Sequence, residues 1–109
     1  MNRPGTIYPG TSVVLSIVFT DDAGVVQNPL FVIFKTFSPC GTETKYTYGI
    51  DPEITRPSTG NYQADILPDE GGRWRVRWEA SGVTNMATED DFIVKVSPFV
   101  DQHYRHDYQ

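Results

Sequence analysis

The chain has 109 residues and a net charge of -5 at neutral pH, which is the size of one domain and leaves nothing for a second core. The acidic balance argues against a role in coating nucleic acid. The single cysteine, Cys40, excludes an intrachain disulfide and with it the Cys–Trp–Cys frame of antibody domains. The longest apolar run is far below the roughly 20 residues of a membrane-spanning helix, so no membrane partner is expected. Met1 to Gly5 carry no apolar h-region, so a secretory leader is not expected and the chain reads as made in a reducing cytoplasm.

Taken in chain order, Pro4-Gly5 and Pro9-Gly10 flank a short segment at Ile7-Tyr8, an edge strand or arm, since proline cannot donate to a ladder. Ser12 to Thr20 alternates with period 2: Val13, Leu15, Ile17 and Phe19 on one face, Val14, Ser16, Val18 and Thr20 on the other. Asp21-Asp22-Ala23-Gly24 is a turn. Leu30 to Phe37 is the next strand, apolar on both faces near Phe31 to Phe34, as expected for a central or partner-covered strand. Ser38 to Gly41 turns the chain, and Glu43 to Tyr48 places Tyr46 and Tyr48 on one side. Glu53 to Arg56 is a short strand, and Pro57-Ser58-Thr59-Gly60 is read as the following turn.

Tyr62, Ala64 and Ile66 then share a face. Pro68 to Gly72 is a loop, and Arg73 to Ala80 alternates strictly between charged and apolar residues. A last strand over Ala87 to Val96 follows a hairpin loop at Ser81 to Asn85, with Phe92, Val94 and Val96 inward and Ile93 and Lys95 outward. Short alternating strands with turn signals every 8–12 residues, and no capped amphipathic helix, predict an all-β sandwich or barrel. The expected fold is an immunoglobulin-like antiparallel β-sandwich of about seven short strands. Residues 1–11 form an N-terminal arm or edge strand, 12–97 the sandwich, and 98–109 a C-terminal docking tail.

Tyr62 follows Gly60-Asn61 and reads as a corner tyrosine, its hydroxyl bonded back to an upstream backbone group. Trp74, Val76 and Trp78 share one strand face and are assigned to the core. Arg73, Arg75 and Arg77 form the opposite stripe. They repel one another unless neighbouring strands supply carboxylates, for which Glu43, Glu79, Glu89, Asp90 and Asp91 are available. The stripe is either paired in this way or held open to dock an acidic protein surface.

Catalytic chemistry finds little purchase. Asp21-Asp22 and Glu89-Asp90-Asp91 lack EF-hand spacing. His103 and His106 stand at H-x-x-H spacing without a zincin glutamate or a cysteine pair. Cys40 has no cationic cluster, and no Gly-x-Ser-x-Gly elbow or phosphate loop occurs. Neither an enzyme nor a cofactor or metal is expected.

The succession Asp21-Asp22-x-Gly24, Asn28-Pro29, Ser38-Pro39-Cys40-Gly41, Tyr46-x-Tyr48-Gly49, Ser58-Thr59-Gly60-Asn61-Tyr62, Gly72-Arg73-Trp74-Arg75-Val76-Arg77-Trp78 and Phe92-Ile93-Val94-Lys95-Val96-Ser97 resembles the small immunoglobulin-like virion structural proteins of tailed bacteriophages. The resemblance covers roughly Thr6 to Pro98. It implies a capsid decoration or head–tail neck component, made in the host cytoplasm and located in the virion, which binds capsid, portal or neck subunits in multiple symmetric copies. Docking is then expected through Arg73, Arg75 and Arg77 and through the tail anchors Phe99, Tyr104 and Tyr108. The alternative reading is a carbohydrate-binding or adhesion module using Phe31, Tyr46 and Tyr48 as exposed aromatics.

Overall fold

In the computed structural model, residues 7–82, 85–97 and 99 are described. They form seven strands and no helix: β1 (Val13–Val18), β2 (Phe31–Phe37), β3 (Glu43–Thr47), β4 (Ile54–Ser58), β5 (Asn61–Ile66), β6 (Gly72–Ser81) and β7 (Met86–Val94). Two antiparallel sheets, ordered β1-β5-β4 and β3-β2-β6-β7, pack as a sandwich. The chain changes sheet between β1 and β2, between β3 and β4, and between β5 and β6. These crossings give the Greek-key connectivity of immunoglobulin-type sandwiches.

The period-2 pattern decides which side of each strand is buried. Val13, Leu15 and Ile17 of β1, Tyr62, Ala64 and Ile66 of β5, Val32 and Phe34 of β2, and Trp74, Val76 and Trp78 of β6 all point into the space between the sheets. At its centre Trp78 lies 4.6 Å from Phe34 and 6.4 Å from Phe19, ring centroid to centroid. Phe19 and Tyr48 each meet Tyr62 edge-on, at 5.4 and 5.1 Å. Edge-to-face contacts suit ring quadrupoles and add about 0.5–1.5 kcal/mol per pair to the area buried. Nearer β7, Trp74 lies parallel to Phe92 at 6.4 Å and donates its indole N–H to the Glu70 carbonyl at 3.0 Å.

Local chemistry fixes the turns. The Asp21 carboxylate accepts the backbone N–H of Val25 at 3.0 Å and of Ala23 at 2.9 Å, and the Gln27 amide at 3.0 Å. These bonds, Val25 first, hold its carboxyl below the usual range. Gly60 takes φ +75°, and an added Cβ would lie 2.9 Å from Val26 Cβ and 3.0 Å from the Phe19 carbonyl. Its N–H donates to Asn28 Oδ1 at 2.8 Å, tying the β4–β5 turn to the β1–β2 connection. Ile7 is buried and forms a parallel bridge with Val94, its carbonyl accepting the Lys95 N–H at 2.8 Å.

Several sequence-level expectations are corrected. β4 runs through Pro57 to Ser58, so the turn shrinks to Thr59-Gly60. The register shift between Thr55 and Ser58 accommodates the proline on an edge strand. β7 stops at Val94 rather than Val96, and Val96 is exposed instead of inward. Beyond Val94 the chain pairs with Ile7 and leaves the ladder. Leu30 is exposed and precedes β2. Tyr62 is core, as expected, but it does not make the expected corner: among the described residues its buried hydroxyl has no hydrogen-bond partner. The Tyr62 ring lies between the sheets, where it meets Phe19 and Tyr48 edge-on.

Candidate functional site

The outer face of the β3-β2-β6-β7 sheet is built by the residues that alternate with the core. Register places them in rows across the strands. Phe37 of β2 lies opposite Glu43 of β3 and Arg75 of β6, and Arg75 lies opposite Asp91 of β7. The next row is Lys45, Lys35, Arg77 and Glu89, and the next Thr47, Ile33, Glu79 and Ala87. Arg73 faces Ile93 at one end, and Phe31 faces Ser81 at the other. The three arginines therefore form a column down the middle of the face.

Their electrostatics differ. Arg77 is clamped: Nε donates to Glu79 Oε2 at 2.7 Å and Nη1 to Glu89 Oε2 at 2.7 Å. Glu79 Oε2 also takes the Lys35 ammonium at 3.2 Å. Hydrogen bonds from Arg77, then Lys35, hold the Glu79 carboxyl below its usual range, while those carboxylates raise Arg77. Arg73 lies 3.5 Å from Asp91 Oδ2. Arg75 is exposed and, among the described residues, carries no ion pair. The nearest carboxylate by register, Asp91, leans toward Arg73. The stripe is thus paired at both ends and open in the middle.

Arg75, Arg77, Lys35, Phe37, Glu43 and Glu89 line a shallow cavity of about 230 Å³. A second hollow of about 390 Å³ lies beyond Arg77, between Phe31, Ile33 and the β6–β7 end. Phe31, Phe37 and Ile93 are exposed around this charged centre. An apolar rim around one free guanidinium suits a partner carboxylate flanked by apolar side chains.

The other candidate residues are dispersed. Phe31 is on the outer face, whereas Tyr46 and Tyr48 are half-buried and packed against the core. Tyr46 lies 6.2 Å from Phe34, and its burial raises the phenol above its ordinary value. Tyr48 leans on Tyr62, with the Arg56 guanidinium 5.8 Å from its ring. These three aromatics do not make one platform. Phe99 is 90% exposed, while Tyr104, Tyr108, His103 and His106 lie outside the described residues. Among the described residues no cluster of His, Cys, Asp and Glu has metal-binding geometry, and no helix is long and apolar enough to cross a membrane.

Two features of this face escape a reading of the sequence. One is Lys35, whose alignment with Glu79 comes from pairing across 44 positions. The other is the inequality among the arginines, which depends on which β7 carboxylate each meets. Comparisons with protein-family models, curated proteins and solved structures found no match to this chain.

Proposed function

We propose that this protein is a non-enzymatic docking domain of the bacteriophage virion structural class, a capsid decoration or head–tail neck component. The observation that carries the docking reading is Arg75: an exposed guanidinium without an ion pair among the described residues, in the row of Phe37 and next to clamped Arg77. The class rests on the sequence resemblance, from the Asp21-Asp22 turn to the Phe92–Ser97 strand. Function here is binding alone. The sandwich is a rigid body, and its four-stranded outer face meets an acidic, apolar-flanked patch on a capsid, portal or neck subunit. Repetition of the contact around a symmetric particle accumulates weak affinities. Residues 98–109 supply a second contact, with Phe99, Tyr104 and Tyr108 as aromatic anchors.

The test is incorporation. Particles of a phage encoding this chain are purified and analysed by mass spectrometry for the wild-type protein, Arg75→Glu, and a chain lacking residues 99–109. The wild type is expected in stoichiometric amounts and Arg75→Glu at markedly reduced occupancy. Absence of the wild type from particles overturns the virion assignment. Full occupancy by Arg75→Glu overturns the docking face, and full occupancy by the truncated chain overturns the role of the tail.

A further inference from the structure

A sandwich of two open sheets has four edge strands, and an undefended edge pairs with other chains. Three edges here are defended. β4 carries Arg56, Pro57 and a register shift. β3 carries Glu43 and Lys45. β7 contains Glu89, Asp90 and Asp91 and is bridged by Ile7. The fourth edge, β1, has the sequence Val-Val-Leu-Ser-Ile-Val. It holds no charge, no proline and no bulge, and among the described residues it pairs on one side only, with β5.

Backbone parity says which groups stand open. The Phe19 N–H donates to the Gly60 carbonyl at 2.8 Å, on the β5 side. In an antiparallel ladder alternate residues point the same way, so Ile17, Leu15 and Val13 turn their amides to β5. Val14, Ser16 and Val18 turn theirs to the open edge. The side chains of Val14 and Val18 are also 51% and 47% exposed on the outer face of this sheet. The 25–27 segment that returns along Phe19 lies beside Gly60, on the β5 side, so among the described residues this edge is uncovered.

We propose that β1 is a homodimerisation edge, pairing antiparallel with β1 of a second copy about a two-fold axis at Ser16. The strand is self-complementary about that point. Val14 meets Val18 of the second copy, Ser16 meets its own equivalent, and Leu15 meets Ile17 on the core side. The open N–H and C=O groups of Val14, Ser16 and Val18 then all bond across the seam. Pairing with an identical chain brings no charge onto this edge, although each copy has a net charge of -5. The product is one continuous sheet ordered β4-β5-β1-β1-β5-β4. Its ends are the two β4 strands, whose proline and bulge stop further addition, so the assembly closes as a dimer.

Sedimentation equilibrium over a range of concentrations tests the edge without any particle, and so separately from the docking reading. The wild type is expected as a reversible dimer. Val14→Lys/Val18→Lys places like charges opposite each other at two positions of the seam and is expected to weaken the dimer about tenfold or more. Val14→Glu/Val18→Lys places Glu opposite Lys in the Ser16-centred register and is expected to restore it. Circular dichroism verifies that both variants fold. If either does not, hydrogen exchange on the wild type decides: the amides of Val14, Ser16 and Val18 are expected to slow with rising concentration. A wild type that stays monomeric, an unweakened Lys/Lys dimer, a Glu/Lys chain that folds but stays monomeric, open-ended oligomers, or concentration-independent exchange at these amides overturns the proposal.

Discussion

Arg77 reaches along its own strand to Glu79, two residues on, its Nε 2.7 Å from Glu79 Oε2. On a β-strand such neighbours share a face, and here the Lys35 ammonium also reaches the same carboxylate oxygen, at 3.2 Å. Two cations on one carboxylate depress its proton affinity in the folded state. The stability it contributes is present above the ordinary glutamate value, roughly 4.3. That contribution is lost as pH falls from there through the depressed folded value. Urea midpoints measured between neutral and strongly acidic pH are expected to fall on the acid side in the wild type. Glu79→Gln is expected to show a shallower fall. Equal acid slopes would show that the carboxylate is equally basic in both states.

The proposed docking role assigns Arg75 to binding and not to folding. With no ion pair among the described residues and an exposed side chain, Arg75→Ala is expected to leave the free energy of unfolding within about 0.5 kcal/mol of wild type. Thermal or chemical denaturation of the purified protein checks this. A large loss would reveal a structural role incompatible with an open docking residue.

Tyr62→Phe separates a corner tyrosine from a core one. The buried hydroxyl has no partner among the described residues, so removing it abolishes a desolvation cost while the ring contacts with Phe19 and Tyr48 remain. The variant is expected to be neutral or more stable by up to about 1 kcal/mol. Destabilisation by as much would mean that the hydroxyl is hydrogen-bonded in solution.

Replacing Gly60 is costly for two reasons that act together. Its φ of +75° is costly for any residue with a Cβ, and the space beside it is filled by Val26 and the Phe19 carbonyl. Gly60→Ala is expected to cost about 1–3 kcal/mol. Asn28→Ala, which strips the acceptor from the Gly60 N–H, is expected to cost a similar amount. The two losses should be less than additive, because both open the same turn. Denaturation of the single and double variants measures this coupling.

Trp78→Ala is the severest core change. The indole is fully buried between Phe34 and Phe19, and a cavity of that size is expected to cost about 3–5 kcal/mol. In a domain of this length that is a large part of the total stability, so the variant is expected to unfold at a much lower denaturant midpoint.

Which residues are inside was legible along the chain. Alternation in β1, β5 and β6 names Leu15, Tyr62 and Trp78 as buried and the arginines as exposed, because a strand turns successive side chains to opposite faces whatever its neighbours are. The Asp21 turn is equally local, since its acceptor and donors lie within a few residues. Strand ends were read less well. Pro57 stays in β4 and Val96 leaves β7, because a strand persists only as far as a partner offers hydrogen bonds, and the partner is distant in sequence.

The same distinction separates the candidate site from its surroundings. The stripe Arg73, Arg75 and Arg77 follows from spacing alone. Its division into clamped ends and an open centre follows from register: Glu89 lies opposite Arg77, and Asp91, opposite Arg75, is drawn toward Arg73. Sequence by itself determined the faces, the turns and the all-β class, which rest on local backbone geometry and burial. Only the tertiary structure decided which arginine stays open and which of the four sheet edges is bare among the described residues. Both depend on what another strand, tens of residues away, brings or fails to bring within hydrogen-bonding reach.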